Sequence, residues 1–187
     1  MSSPVVLILA AGRGTRFLAS GGKTHKLDTM LGDKSVLDHV RQAVDAAGLT
    51  GYLVRPEGGT GGMGESIALG VRATAEASGW LILPADLPLI QPASLHCVAE
   101  ALRDNALVVP HCGQRQGHPP GFSRDYRAAL MALSGDTGAR AIVSRARQQG
   151  KVKDIALLDD GMVYDIDTLA DLQAAQRVLY SRVSGVR

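Results

Sequence analysis

Apolar runs of strand length alternate with stretches of helical periodicity along most of this chain. Val5 to Leu9 are continuously apolar and largely β-branched, as expected of a strand buried on both faces of a parallel sheet. Ser35 can cap a helix over residues 36–47, whose stripe is Val36, Leu37, Val40 and Val44 and whose stop is Gly48. The pattern then predicts a short strand at 52–54, a helix over 65–77 with Ile67, Val71 and Ala75 at helical spacing, and a strand at 80–83. Pro92 opens a further helix to about residue 103, because proline is tolerated in a first turn, and a buried strand follows at 106–109.

The second half is less regular. HCGQRQGHPPGFS reads as a hairpin or strand pair around a turn. After it come a helix over 125–133, a helix capped by Asp136, a strand at 152–157 and a last helix from Thr168 to about Val183. Buried strands alternating with amphipathic helices predict a Rossmann-like, doubly wound α/β fold, with three layers, α/β/α, around a mostly parallel sheet. The 187 residues, 45% of them apolar, suit one domain over 1–187. In such sheets ligands sit at the carboxyl ends of strands where connections diverge, and the chemistry-bearing motifs fall at those ends.

Composition narrows the partners. The formal net charge is +2, too small for a basic patch, so nucleic acid is not expected as a partner. Cys97 and Cys112 form no metal-type spacing and read as free thiols in a reducing compartment. No segment reaches the ~18 apolar residues of a membrane span, and no basic-then-apolar leader opens the sequence. The expectation is a cytoplasmic protein with no membrane partner.

LAAGRGTRF follows the first strand directly. Ala10 and Ala11 keep side chains out of the way, and Gly12 and Gly14 let backbone N–H groups approach phosphate oxygens. Arg13 and Arg16 supply fixed positive charge, and Lys23 and Lys26 lie further along the same loop. On spacing alone, an ordinary strand-to-helix turn with solvated arginines fits equally well. Two named motifs are excluded: Gly14 is followed by Thr15 and Arg16 rather than by Lys-Ser/Thr, and Phe17 stands where the dinucleotide fingerprint needs its third glycine.

Two acidic segments follow the same logic. WLILPADLPLI places Asp86 just past an apolar strand between stiffening prolines, and YDIDTLADL sets Asp165 and Asp167 on one face at the end of a strand. On these residues alone a turn role is the simpler reading of Asp86, and an N-cap role for Asp167 is equally open. Magnesium needs only one or two protein carboxylates besides waters and phosphate oxygens. GGMGESIALGV offers N–H donors around Gly64 and Glu65 and the Ser66 hydroxyl to a base or sugar, although a bare linker would read the same.

These segments together resemble the motifs of the MobA-like nucleotidyltransferase (NTP transferase) family, above all its molybdenum cofactor cytidylyltransferase group. The matching strings are LAAGRGTRF with a later lysine, GGMGES, LPADLPLI, GHP, GDTGAR and DIDTLADL, spread from Leu7 to Leu172. The double alanine is closer to the cytidylyltransferase version than to the Leu-Ala-Gly-Gly of guanylyltransferases. The resemblance implies a fold of nucleotide-diphospho-sugar transferase type. It also implies Mg2+-dependent transfer of CMP from CTP to the phosphate of molybdopterin, with release of pyrophosphate.

By the same resemblance Leu9, Ala10, Ala11, Gly12, Arg13 and Gly14, with Gly64 and Ser66, bind the nucleotide. Arg16, Lys26 and Asp86 are the catalytic residues, the two cations offsetting charge on the leaving pyrophosphate. Asp86 and Asp167 hold Mg2+, with Asp165 as the alternative to Asp167, and Gly117, His118 and Pro119 shape the acceptor pocket. Departures from the pattern are the long LASGGKTH spacer, which leaves Lys23 competing with Lys26, and the replacements Ala85, Leu87, Leu169 and Ala170. A molybdoenzyme or cofactor-insertion chaperone is the implied protein partner. The alternatives are a guanylyltransferase of the same fold, a nicotine-blue-oxidoreductase-like NAD(P)H enzyme and a non-enzymatic cofactor-delivery adaptor.

Overall fold

The first apolar run forms β1 (Val5–Leu9), at the heart of a seven-stranded sheet in the computed structural model, which describes residues 3–185. A short helix α1 (Thr15–Ala19) and a hairpin of β2 (Met30–Leu31) and β3 (Lys34–Ser35) lead to α2 (Val36–Ala46). Then follow β4 (Thr50–Val54), α3 (Met63–Ala73), β5 (Gly79–Pro84), α4 (Pro92–Ala101) and β6 (Leu107–Cys112). The remainder comprises β7 (Arg115–Gln116), β8 (Gly121–Ser123), α5 (Arg127–Met131), α6 (Arg140–Gln148), β9 (Val152–Ala156) and α7 (Leu169–Ser184).

The strand order is β4-β1-β5-β8-β6, with β9 parallel to β6 and β7 folded back on it. β1 pairs in parallel with both β4 and β5, while β8 runs antiparallel between β5 and β6. The chain therefore leaves β1 to one side to make β4 and crosses through α3 to make β5 on the other. The connections diverge at the carboxyl end of β1, where a doubly wound sheet opens a ligand crevice.

Strand alternation sorts the core into two layers. Val6 and Ile8 pack with Leu81 and Leu83 against α2, α4 and α7, whereas Leu7, Trp80 and Ile82 pack against α3, α5 and α6. Trp80 and Phe122 are fully buried, each a burial of the kind that contributes roughly 1.5–3 kcal/mol. The sheet is thus covered on both faces, the three-layer α/β/α arrangement that the alternation of strands and helices predicts.

Several boundaries differ from the sequence pattern, each for a visible reason. α3 begins at Met63 and stops at Ala73 rather than 77, because the Thr74 hydroxyl turns back to the Gly70 carbonyl (2.7 Å) and accepts from the Trp80 indole (3.0 Å). α5 is confined to Arg127–Met131 behind a 3-10 turn at Arg124–Tyr126. Asp136 does not cap α6, whose N-cap is Ala139 without a side-chain bond. Asp165 and Asp167 lie in a loop rather than at a strand end, after a 3-10 turn at Asp160–Met162, and the cap of α7 is Thr168, paired with Asp171 in a capping box. Among the described residues no helix is long and apolar enough to cross a membrane.

Candidate active site

The glycine loop begins while the chain is still tied to the sheet. Ala10 N–H donates to Val54 O and Ala85 N–H to Leu9 O, both at 3.0 Å, so Leu9 and Ala10 hold register before the backbone turns away. Gly14 then adopts φ 65°, the left-handed region that favours glycine, and starts α1. Arg13 is exposed on this loop. Beyond α1 the chain returns through His25 into a 3-10 turn at Lys26–Asp28, which brings Lys26 back under the loop. Leu9, Ala10, Ala11 and Gly12 line one wall of a cleft of about 230 Å³ with Lys26, whereas Lys23 is exposed and does not line it.

The opposite end of the cleft is acidic. Ala85 and Leu87 are buried at 1% exposure each and anchor the β5–α4 loop, leaving Asp86 between them to face the cleft. Asp165, Asp167 and Asp86 each place a carboxylate oxygen within 4.8 Å of the other two. One buried residue brings the two loops together: Ile166 N–H donates to the Asp86 carbonyl at 2.9 Å, and the Ile166 carbonyl accepts from Lys26 Nζ at 3.0 Å. Lys26 Nζ also bonds Asp86 Oδ2 at 2.9 Å and stands 3.6 Å from Asp167 Oδ1, while Arg16 reaches Asp167 Oδ2 at 3.1 Å.

This donor set fits a hard divalent cation. It is made of carboxylate oxygens, two of its three members already draw an ammonium, and its negative charge is under-compensated. Burial pushes the Asp165 carboxyl above the usual carboxylate range, and the neighbouring charges of Asp86 and Asp167 push it the same way. Asp86, Asp165 and Asp167 are therefore the residues that could hold a metal.

The third wall joins two loops distant in sequence. A Cβ at Gly62 would come within 2.5 Å of Asp136 Cα and the Gly135 carbonyl, and one at Gly64 would run into the Thr137 carbonyl, so both glycines are needed for the 134–137 loop to lie on the start of α3. The amides that the sequence offered to a ligand are spent in this contact. Gly64 N–H donates to Gly135 O at 2.9 Å and Glu65 N–H to the same oxygen at 3.3 Å. Ser66, 3% exposed, shares its hydroxyl with Thr60 (2.7 Å) and the Gly62 carbonyl (3.1 Å). Gly64 is therefore a packing residue rather than a free donor, while Ser66, Thr60 and Met63 still line the cleft. Asp136 lines it too, with its carboxylate 3.5 Å from the Met63 amide.

Gly117, His118 and Pro119 lie beside the acidic cluster rather than in the cleft lining. Gly117 N–H bonds Pro110 O at 2.8 Å, and a Cβ there would meet Met162 Cβ at 2.9 Å. His118 donates its backbone N–H to Met162 O, and its buried Nδ1 has no hydrogen-bond partner among the described residues. Burial lowers its pKa, opposed by the charges of Asp86 and Asp165. Arg140 opens α6, and Arg13, Gly14, Arg16 and Asp167 ring the cleft without lining it.

Sequence reading missed Thr60, Gly62 and Asp136 as cleft residues, and it missed the backbone of Ile166. Gly62 and Asp136 signal each other only through the close approach of their backbones, which no local pattern encodes. Ile166 stands between Asp165 and Asp167 in the sequence, but nothing there shows that its backbone joins their loop to that of Asp86.

The chain matches the MobA-like NTP transferase domain over residues 50–152. It superposes on a nucleotidyl transferase from Methanothermobacter thermautotrophicus with TM-score 0.78 and 21% identity, covering 96% of this chain and 99% of that one. For the 4-diphosphocytidyl-2C-methyl-D-erythritol synthase of Anaerococcus prevotii the values are TM-score 0.73 and 15% identity, over 96% and 99%. Rv0371c of Mycobacterium tuberculosis, in complex with manganese, gives 0.69 and 19% over 94% and 99%. A curated relative, the putative LysR family substrate binding domain-containing protein YagP of Escherichia coli, is 81% identical over 26 residues, so the match spans only 14% of this chain and 19% of that protein. The three structural neighbours share the α/β fold with its mostly parallel sheet. With the family match covering more than half its length, the chain belongs to the MobA-like NTP transferase domain family.

Proposed function

We propose that this protein is a magnesium-dependent nucleotidyltransferase that moves CMP from CTP to the phosphate of molybdopterin and releases pyrophosphate. The observation that carries the reading is that Lys26 and Asp86, which both line a cleft walled by the glycine loop, meet Asp167 at its edge, with Asp165 completing the carboxylate cluster. An acceptor phosphate oxygen forms a bond to the α-phosphorus, and the bond from that phosphorus to the oxygen of the β-phosphate breaks. The acceptor is already an anion, so positioning and charge neutralisation suffice without a general base. A bound magnesium ion would neutralise phosphate charge as a Lewis acid, held by Asp86 and Asp167 with Asp165 beside them.

The chain's own residues divide the remaining work. Backbone N–H groups of Gly12, Arg13 and Gly14 face the phosphates. Lys26 and Arg16, now paired to Asp86 and Asp167, transfer to phosphate oxygens when the nucleotide binds. The base lies along Ala10 and Ala11 towards Ser66 and Asp136, and the Gly117–Pro119 segment shapes the acceptor side. Preference for CTP over GTP is supported by the double alanine and by the cytidyl compound in the name of one neighbour. Delivery of the product to a molybdoenzyme or cofactor-insertion chaperone in the cytoplasm completes the proposal.

A thermal-shift panel of CTP, GTP, ATP, UTP and NADPH with magnesium tests it, since a ligand that binds the folded state raises its melting temperature. CTP should stabilise most. Stabilisation by GTP above CTP would make the protein a guanylyltransferase, and stabilisation by NADPH alone would remove the transferase reading.

A further inference from the structure

The spacer between the glycine loop and Lys26 is long, and one side chain closes it. His25 stands at the head of the 3-10 turn that carries Lys26. Its Nδ1 accepts from the Leu27 N–H at 3.2 Å, and its Nε2 lies 2.7 Å from the Gly12 carbonyl oxygen. Leu27 N–H can only donate and Gly12 O can only accept, so the ring proton sits on Nε2 and is donated to Gly12. A single imidazole therefore bonds the crest of the glycine loop on one edge and the lysine turn on the other. Gly14 borders the contact: a Cβ there would lie at ordinary van der Waals distance, 3.6 Å from His25 Nε2 and 3.5 Å from Lys26 Cγ.

The turn itself has other supports. Arg55 makes two bonds of 2.8 Å to the Asp28 carboxylate, and the Thr29 hydroxyl donates to the His25 carbonyl at 3.1 Å. Beyond capping the turn through Leu27 N–H, the His25 ring adds the distance between the turn and the glycine loop. We propose that His25 is a positioning residue that fixes the separation between the Gly12–Gly14 backbone and the Lys26 ammonium, and so sets the affinity of the site for a nucleoside triphosphate. The proposal rests on the nucleotidyl-transfer reading, in which both of those elements grip the triphosphate. His25 touches no reacting atom.

Two variants separate its two bonds. His25→Gln places an amide N–H where Nε2 stands and keeps the tie to Gly12, whereas His25→Asn places an oxygen where Nδ1 stands and keeps only the bond from Leu27. Calorimetric titration with CTP and magnesium should show His25→Asn binding about fivefold to tenfold more weakly than wild type, the usual weight of one hydrogen bond, and His25→Gln within about twofold of it. In turnover with molybdopterin, KM for CTP should rise to match in His25→Asn, while KM for the acceptor stays within about twofold and the melting temperature within about 5 °C.

Equal affinity of His25→Asn and wild type, or equal weakening in both variants, overturns the positioning role. So does a joint rise of both KM values with a falling melting temperature, which is the mark of a merely structural residue. A wild-type protein that binds none of CTP, GTP, ATP and UTP removes the underlying reading, an outcome visible before any variant is made.

Discussion

Lys26→Met removes the ammonium that pairs with Asp86 and Asp167, and its effect can be worked from the structure. Lys26 and Asp86 are 13% and 21% exposed and 2.9 Å apart, so their attraction is only partly screened. Opposite charges about 4 Å apart attract by roughly 4 kcal/mol at an effective dielectric of about 20. Desolvation of both groups and access of water through the cleft leave a net of roughly 1–2 kcal/mol. A divalent cation entering the cluster must displace that contact. Without it, Mn2+ should bind the nucleotide-free variant roughly 5–30-fold more tightly than wild type. Nucleotide affinity should move the other way, because Lys26 is the cation that transfers to phosphate. Mn2+ titration by electron paramagnetic resonance and CTP titration by calorimetry read the two effects separately. Unchanged or weaker Mn2+ binding in Lys26→Met would refute the reasoning, as would undiminished affinity for CTP.

Three further outcomes follow from other parts of the molecule. Asp159, 3% exposed, accepts from Gln91 N–H (3.0 Å), the Ser94 hydroxyl (2.7 Å) and Gly161 N–H (2.9 Å), so Asp159→Ala should cost about 3–5 kcal/mol and lower the melting temperature by about 10 °C without altering KM for CTP. Gly64→Ala drives a methyl group into the Thr137 carbonyl and should push the 134–137 loop off α3, weakening CTP binding about tenfold, whereas wild-type affinity in that variant would deny this loop a place in the site. The Arg147 guanidinium, with His111 adding to it, holds the Asp154 carboxyl at about 2, below its unfolded value. Its stabilisation is therefore present above about pH 4 and lost as pH falls through about 2. Asp154 is 43% exposed, so screening reduces the effect to about 0.5–1 kcal/mol, and denaturation of Asp154→Asn and wild type should differ by that much at pH 6 and converge near pH 2.

The first half of the fold was legible because its strands are buried on both faces and its helices carry clear caps. Val5–Leu9, the Ser35 cap and the Pro92 start all stand where the pattern placed them. The second half was blurred by β8, a three-residue strand whose antiparallel place between β5 and β6 depends on long-range pairing. In the site, Asp86 and Lys26 could be read from their position after a strand and their motif. The structure brings them together with Asp165 and Asp167 through the Ile166 backbone, which periodicity does not reveal. Gly64 looked like an open donor because a linker's sequence does not show which carbonyl will come to rest on it. His118 was read only as part of the acceptor loop, and the burial of its Nδ1, without a hydrogen-bond partner among the described residues, is set by long-range packing that no local pattern encodes.

The most direct measurement is pyrophosphate release from CTP in the presence of molybdopterin and Mg2+, comparing wild type with Asp86→Asn. Wild type should release one pyrophosphate for each cytosine dinucleotide formed. Asp86→Asn should lose at least about 100-fold in turnover while keeping its circular dichroism spectrum, since the side chain faces the cleft rather than the core. Full turnover by Asp86→Asn, or no pyrophosphate from wild type with any nucleoside triphosphate, would contradict the acidic cluster as the seat of nucleotidyl transfer.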